Sequence, residues 1–597
     1  MQHTVQLTGV LALLAQALLA QEPQAPAFLD VSEASGIRVD NILEESPIKV
    51  PINDHSRLGF VDLDGDGFDD IVCHSLYPNP LKGVPFEHLV YRNRGDGTFE
   101  HVSDASGLRH LQAGFLAFGD VDNDGDQDCF AGLDVPLPEQ THQILLNDGE
   151  GHFAPKAKSG VEDLPPRAGN AVFADFDGDG KLDLFVGMGH TSAAAENALL
   201  MGRGDGRFRD ATKNLKGNLA QPTNGSISCD YDGDGDLDIL VSNYGVSVLA
   251  GQNALFENDG RGRFKNVAQE VGFAAQASGN SWLFQHGELE SEEPKPGRAG
   301  PISSNGFGLD CGDIDGDGRM DVFITAISHP VKRDYKRSWS DPTLLLLGRE
   351  SSKGARFVSE TMARGIPFNE GDVDGAMIDF DNDGLLDLSI SRDRKYERAY
   401  SEVEQKAWFG LLRQQSNGTF ESIGHDSGIN DLSEPAAAPE GVPAPKNLWP
   451  MKNAQNHGWS DIDGDGDLDL LVGGRDLGGG RPNFLFRNEA GSKHGWLRLL
   501  LTGDGKKVNR DAIGARLWLD RGPGLTSMRE VKSSRGNYNS MDTRWQHFGL
   551  GDSETGLTLR VRWPDGIEIE LGPDFLESRN AYRLEYPDRL TPFQARD

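Results

Sequence analysis

The chain has 597 residues, with 93 Asp and Glu against 58 Lys and Arg, a formal net charge of −35 and 74 glycines. Such an acid excess excludes nucleic acid as a partner, because phosphate contacts need clustered cations. The length exceeds one ordinary domain, and Gly and Asp among short apolar runs favour an all-β repeat protein over a helical one.

The first twenty residues read as a secretory signal. The apolar run Val10 to Ala20 is too short to span a bilayer and ends in small residues before Gln21-Glu22-Pro23. Cleavage is expected near Ala20, giving a secreted protein, extracellular or periplasmic, and no later stretch is long enough for a membrane span.

From Phe28 two motifs alternate. FLDVSEASG at Phe28 has relatives at Phe99, Phe153, Phe208, Phe264, Phe357 and Phe420. The other motif reads D-x-D-x-D-G-x-x-D. Its carboxylates are Asp62, Asp64, Asp66 and Asp70; Asp120, Asp122, Asp124 and Asp128; Asp175, Asp177, Asp179 and Asp183; and Asp230, Asp232, Asp234 and Asp238. The pattern continues with Asp313, Asp315, Asp317 and Asp321; Asp379, Asp381, Asp383 and Asp387; and Asp461, Asp463, Asp465 and Asp469. Hard oxygen ligands at alternate positions of a tight loop suit Ca²⁺, at up to seven sites. The loops hold 28 of the 93 acidic residues, and seven bound Ca²⁺ would leave the net charge at about −21. An EF-hand fails on two counts. Position 12 needs Glu but holds Cys73, Ala131, Val186, Val241, Ile324, Ile390 and Val472, and the flanks are short and β-branched, hence strands.

One repeat therefore reads as strand A, Asp loop, strand B, a crossing, strand C, a Gly turn and strand D, which is one propeller blade. The Phe28 segment precedes the first Asp loop, while the seventh loop lacks a strand D after Asn483 to Asn488. The N-terminal segment is thus expected to close the ring as outer strand of the last blade, giving a seven-bladed β-propeller over residues 28–490. Two long insertions, about residues 274–304 and 430–456, are expected on the face opposite the metals, where loops on a rigid scaffold concentrate binding.

That same face is expected to carry Lys332, Arg333, Tyr335, Lys336, Arg337 and Trp339 beside Arg392, Arg394, Lys395 and Tyr396. Together they form a candidate ligand-binding patch for an anionic glycan or acidic peptide; the alternative is two solvated loops paired with neighbouring carboxylates. His55, Arg167, Asn224, Asn305, Glu370 and His457 precede strand A and would surround a central channel, either holding a small ligand or capping it with water-satisfied groups. Cys73, Cys129, Cys229 and Cys311 permit three pairings or none, with no zinc-like spacing.

Residues 493–597 alternate as short strands, a small β-sandwich or barrel, with Arg510 and Asp511 expected in a turn and ion pair. Trp496-Leu-Arg-Leu, Asn509-Arg-Asp-Ala-Ile-Gly-Ala-Arg516, His547-Phe-Gly-Leu-Gly551 and Val561-Arg-Trp-Pro-Asp-Gly566 resemble the ASPIC/UnbV domain. The repeats resemble the FG-GAP/VCBS class, and the two together resemble the cartilage acidic protein family and its bacterial secreted relatives. No Cys follows Cys311, so the Cys-rich tail of the animal members is absent and their matrix roles do not transfer. The leading expectation is a secreted calcium-binding scaffold for an extracellular protein or glycan. The alternative is a polysaccharide-acting enzyme such as a uronate lyase, which needs a His or Tyr base beside a cation.

Overall fold

A computed structural model describes residues 27–593, apart from 38–56, 75–84, 190–194, 219, 245–251, 275–301, 305, 328–338, 341, 353, 370, 394–406, 424–426, 430–451, 477–480 and 538. The described chain is all-β, and its only α-helices are the single turns Ser103–Ser106 and Ala268–Val271. Seven sheets follow one another from Leu58, each built around one acidic loop, and all are antiparallel except for the short strand Leu215–Lys216, which adds to the fourth in parallel beside Phe264–Asn266. Sheet I, for example, holds Leu58–Val61, Asp70–His74, His88–Asn93 and Phe99–His101 in the order A-B-C-D.

The acidic loop is a hairpin connection with a fixed register. The residue before its first Asp always pairs with its ninth: Val61 with Asp70, Gly119 with Asp128, Ala174 with Asp183 and Cys229 with Asp238. Gly312 with Asp321, Ile378 with Asp387 and Ser460 with Asp469 complete the set. Strands A and B are buried on both faces, which is why their apolar runs do not alternate with polar residues.

Sheet VII consists of Lys452–Ser460, Asp469–Asp476, Arg481–Asn488 and, as expected from the offset of the two motifs, Phe28–Asp30. Phe28 pairs with Asn488 and Asp30 with Phe486, and the Val31 amide donates to the Leu485 carbonyl at 2.9 Å. Strand A of sheet II packs on that of III, and so on round to VII, whose strand A packs on that of I. Sheets I and II share a core through Val61, Val72 and Val90 against Leu116 and Phe118. The arrangement is propeller-like.

The C-terminal residues form two further four-stranded sheets. One orders Gln546–Gly551, Gly495–Thr502, Asn580–Glu585 and Arg589–Pro592; the other orders Thr526–Glu530, Arg516–Asp520, Thr558–Arg562 and Glu568–Leu571. Leu497, Leu499, Leu517, Leu559 and Leu584, all buried, fill the space between them, and this core runs on into sheets II to IV.

Candidate metal sites on a covered face

Within each loop the first carboxylate folds the turn around itself. Asp62 accepts the Gly65 amide at 2.8 Å and the Gly67 amide at 3.0 Å; Asp230 and Asp461 do the same with Gly233 and Gly235, and with Gly464 and Gly466. The turn needs a positive φ at position 6, which Gly67 supplies at 98° and Gly466 at 92°.

The ninth Asp has a second task that spacing did not disclose. Asp70 accepts the Leu63 amide at 3.0 Å and the Asn93 amide at 2.8 Å, so it ties its own loop to strand C. Asp128 does the same with Val121 and Asn147, and Asp469 with Ile462 and Asn488. The residue ending strand C then reaches onward. The Asn147 side chain donates to Leu63 O of the preceding sheet, Asn258 to Phe176 O, Gln414 to Ile314 O and Asn488 to Phe380 O. Asn93 donates to Ile462 O, which links sheet I to sheet VII. The signal was present in the sequence, as an amide residue recurring just before the strand C–D turn.

Other carboxylate oxygens have no partner. Asp120 Oδ1, Asp122 Oδ1, Asp177 Oδ1, Asp315 Oδ1, Asp379 Oδ1 and Asp381 Oδ1 are buried without a hydrogen bond. The ligand atoms of Asp62, Asp64 and Asp66 lie within 4.8 Å of one another, as do those of Asp120, Asp122 and Asp128, and of Asp175, Asp177 and Asp183. At that separation two ionised carboxylates repel by about 3–4 kcal/mol at an effective dielectric of ~20. Burial, then neighbouring carboxylates such as Asp69 and Asp66, lift the Asp62 carboxyl to about 7. Burial, then Asp511, lifts Asp120 to about 8; burial, then Asp383, lifts Asp379 to about 8. Orphaned, mutually repelling oxygens in clusters that hold no His or Cys ligand fit a hard divalent cation of the Ca²⁺ type, although Arg349 at 2.7 Å from Asp315 and Arg413 at 2.7 Å from Asp381 already offset part of the charge.

The C-terminal sheets lie on this acidic face. Arg562 pairs with Asp230 at 2.7 Å and Arg516 with the same oxygen at 3.1 Å, while Arg498 pairs with Asp461. Asp511 accepts the Asp120 amide at 2.8 Å, the Gly549 amide donates to Asp379 at 3.1 Å, and Trp545 Nε1 donates to Gly67 O at 3.1 Å. A Cβ on Gly466 would fall 1.9 Å from the Trp496 ring, so position 6 is glycine for close approach as well as for φ. Asp511 does form an ion pair, but with Arg544 at 2.9 Å and not with Arg510.

Residues 535–542 leave that sheet pair and enter the centre of the seven sheets. Asn539 bonds both the amide and the carbonyl of Ala171, the Gly536 amide donates to Leu309 O at 2.9 Å, and the Phe60 amide donates to Met541 O at 3.0 Å. Arg535 meets Asp374 at 3.2 Å, Asp542 at 2.5 Å and the His457 carbonyl. His457 therefore does not face an open channel. It is fully buried, held by Ser389 and Ser391, and kept neutral by burial and by Arg535. Asn224 is 1% exposed, Arg167 is partly exposed, and His55, Asn305 and Glu370 lie outside the described residues.

Of the candidate ligand patch, Lys332, Arg333, Tyr335, Lys336, Arg337, Arg394, Lys395 and Tyr396 lie outside the described residues, as does the side chain of Trp339. Arg392 is described and is not a surface group: it is 3% exposed and pairs with Asp372 at 3.1 Å. Most of the two long insertions, and the first twenty residues read as a secretory signal, are also outside the described residues. All four cysteines are buried free thiols. No helix among the described residues is long and apolar enough to cross a membrane.

Comparison with known proteins supports both parts of the chain. A family model described as FG-GAP-like repeat matches residues 62–131 and 135–186, and one described as ASPIC and UnbV matches residues 505–588. Cartilage acidic protein 1 of Xenopus tropicalis is 25% identical over 505 residues, covering 76% of this chain and 70% of that protein. The Mus musculus protein of the same name is 24% identical over 520 residues, covering 79% and 73%. Among solved structures, the Trypanosoma rangeli sialidase is 9% identical with a TM-score of 0.30, covering 83% of this chain and 78% of that one. A Photorhabdus luminescens Tc holotoxin pore is 13% identical with a TM-score of 0.31, covering 90% of this chain and 20% of that one. Structural likeness so slight carries no argument about activity.

Proposed function

We propose that this chain, which carries FG-GAP-like repeats and an ASPIC and UnbV domain, is a secreted, calcium-stabilised binding scaffold that recognises an extracellular protein or glycan. The seven sheets close as a seven-bladed propeller, and the C-terminal pair forms a small β-sandwich seated on its acidic face. The Asn93 bond to Ile462 O, joining first and last sheets, supports the closure. The unpartnered buried carboxylate oxygens carry the calcium reading. In each loop the carboxylates at positions 1, 3, 5 and 9 would hold the ion, with the C-terminal sheets over position 1 in loops such as Asp230 and Asp461 and water free to reach exposed carboxylates such as Asp232 and Asp234.

Because the C-terminal sheets lie on the acidic face, the partner would meet the opposite one, where the sequence leads us to expect the two long insertions. Melting in calcium and in EDTA tests the metal, and a glycan array probed in calcium tests the partner. An unchanged melting temperature on chelation removes the first reading; an array with no calcium-dependent signal removes glycan as the partner class.

A further inference from the structure

Where sheets V to VII meet the C-terminal sheets, a cavity of about 120 Å³ is lined by Arg529, Lys532, Ser533 and Ser534 and also by the carboxylates Asp313 and Asp379. Its charged groups are not equally provided for. Lys532 pairs with Asp310, Arg535 with Asp374 and Asp542, and Glu530 with Arg516. Arg529 has no carboxylate within ion-pair distance among the described residues. Its Nε donates to the His547 carbonyl at 3.0 Å, Nη1 donates to the Met528 carbonyl at 2.9 Å, and its guanidinium lies 5.0 Å from the Phe548 ring centre. Of the two carboxylates, Asp313 accepts the Asp317 and Gly318 amides of its own loop, while Asp379 Oδ2 accepts the Gly384 and Gly549 amides and its Oδ1 has no hydrogen bond.

The neutral groups point the same way. Ser533 Oγ and Ser534 Oγ are buried atoms without a hydrogen bond, and both residues line this cavity; His547 donates its Nε2 proton to Asn382 Oδ1 and so adds no donor. Two hydroxyl donors and a guanidinium short of a counter-ion, around space for several waters, make an oxyanion pocket. Buried polar atoms left unpaired cost stability, so something must satisfy them.

We propose that this cavity binds a small oxyanion of sulfate or phosphate size, held by the Arg529 guanidinium with Ser533 and Ser534. None of the three holding groups belongs to an acidic loop, but Asp313 and Asp379 line the same cavity, so calcium on their loops would strengthen the binding and the titration separates the two readings. Sulfate is the probe, titrated against the full-length protein by calorimetry at constant ionic strength, with chloride as the balancing salt, once in calcium and once in EDTA.

Saturable binding of one sulfate is expected, weakened tenfold or more in Arg529→Met and several-fold in the double variant Ser533→Ala/Ser534→Ala. A selenate soak should place one anomalous peak in the cavity. No saturable sulfate binding beyond chloride, undiminished affinity in a folded Arg529→Met, or a selenate peak elsewhere would each overturn the proposal. If Arg529→Met fails to fold, the serine double variant and the selenate position still decide it.

Discussion

At the scale of single residues, carboxylates of one motif divide into two kinds. Asp70 gives both oxygens to backbone amides, those of Leu63 and Asn93, whereas Asp122 keeps an oxygen with no partner at all. Asp70→Ala strips two buried amides of their acceptor, so a loss of about 2–6 kcal/mol is expected, from ~1–3 kcal/mol for each orphaned group. That loss should persist in EDTA, read by urea unfolding with and without chelator. Asp122→Asn removes charge from an oxygen that bonds nothing, so it should lower the number of calcium ions bound by about one while stability in EDTA stays the same or rises. Equal behaviour of the two variants would refute the division. The sequence named both residues alike, since a carboxylate that also anchors the backbone and one that does not are the same letter. Only the fold reveals that strand C ends where Asp70 can reach it.

At the scale of the element, the acidic hairpin is a proton-linked unit. Asp62 and Asp175 are lifted to about 7, and Asp128 and Asp321 to about 8, chiefly by burial. An Asp whose folded value lies above its unfolded one near 3.9 holds its proton more tightly when folded. Its contribution to stability is therefore complete below about pH 4 and drains away as pH rises to about 8. In EDTA the melting temperature should fall between pH 5 and pH 8. In millimolar calcium that fall should shrink or reverse, and calcium binding at pH 7 should release protons, seen as a binding heat that varies with the buffer's ionisation enthalpy. A flat profile in EDTA would remove the linkage. The hairpins themselves were legible in the sequence, because Asp, Gly and the flanking β-branched runs are local signals. The amide ladder was not read from it, since Asn147 and Leu63 O lie in different sheets and meet only after the sheets pack. Asn147→Leu should cost about 2–3 kcal/mol, as it leaves Leu63 O and Gln127 O without their donor.

For the molecule as a whole, the C-terminal residues join two things that sequence reading treated as separate. Sequence reading set two domains in series, at 28–490 and 493–597, and made no provision for the segment 535–542, which has no periodic signature and becomes meaningful only where it meets the strands of several sheets. Arg535 is 2% exposed and bridges Asp374 of sheet VI, the His457 carbonyl of sheet VII and Asp542 of its own segment. Removing one member of a buried, hydrogen-bonded charge cluster strands the others, and such losses run to about 3–5 kcal/mol. Arg535→Met keeps much of the side-chain length, so packing alone would be nearly conserved and the loss would report the charge. The consequence extends beyond stability, because the segment bonds to sheets I, III, V, VI and VII at once. Ring and cap should then unfold together in the wild type, giving one calorimetric transition, whereas Arg535→Met should lower that transition and split it in two. Two transitions already present in the wild type would mean that the cap merely rests on the acidic face, and the central segment would lose its role as the pin that holds the sheets in one unit.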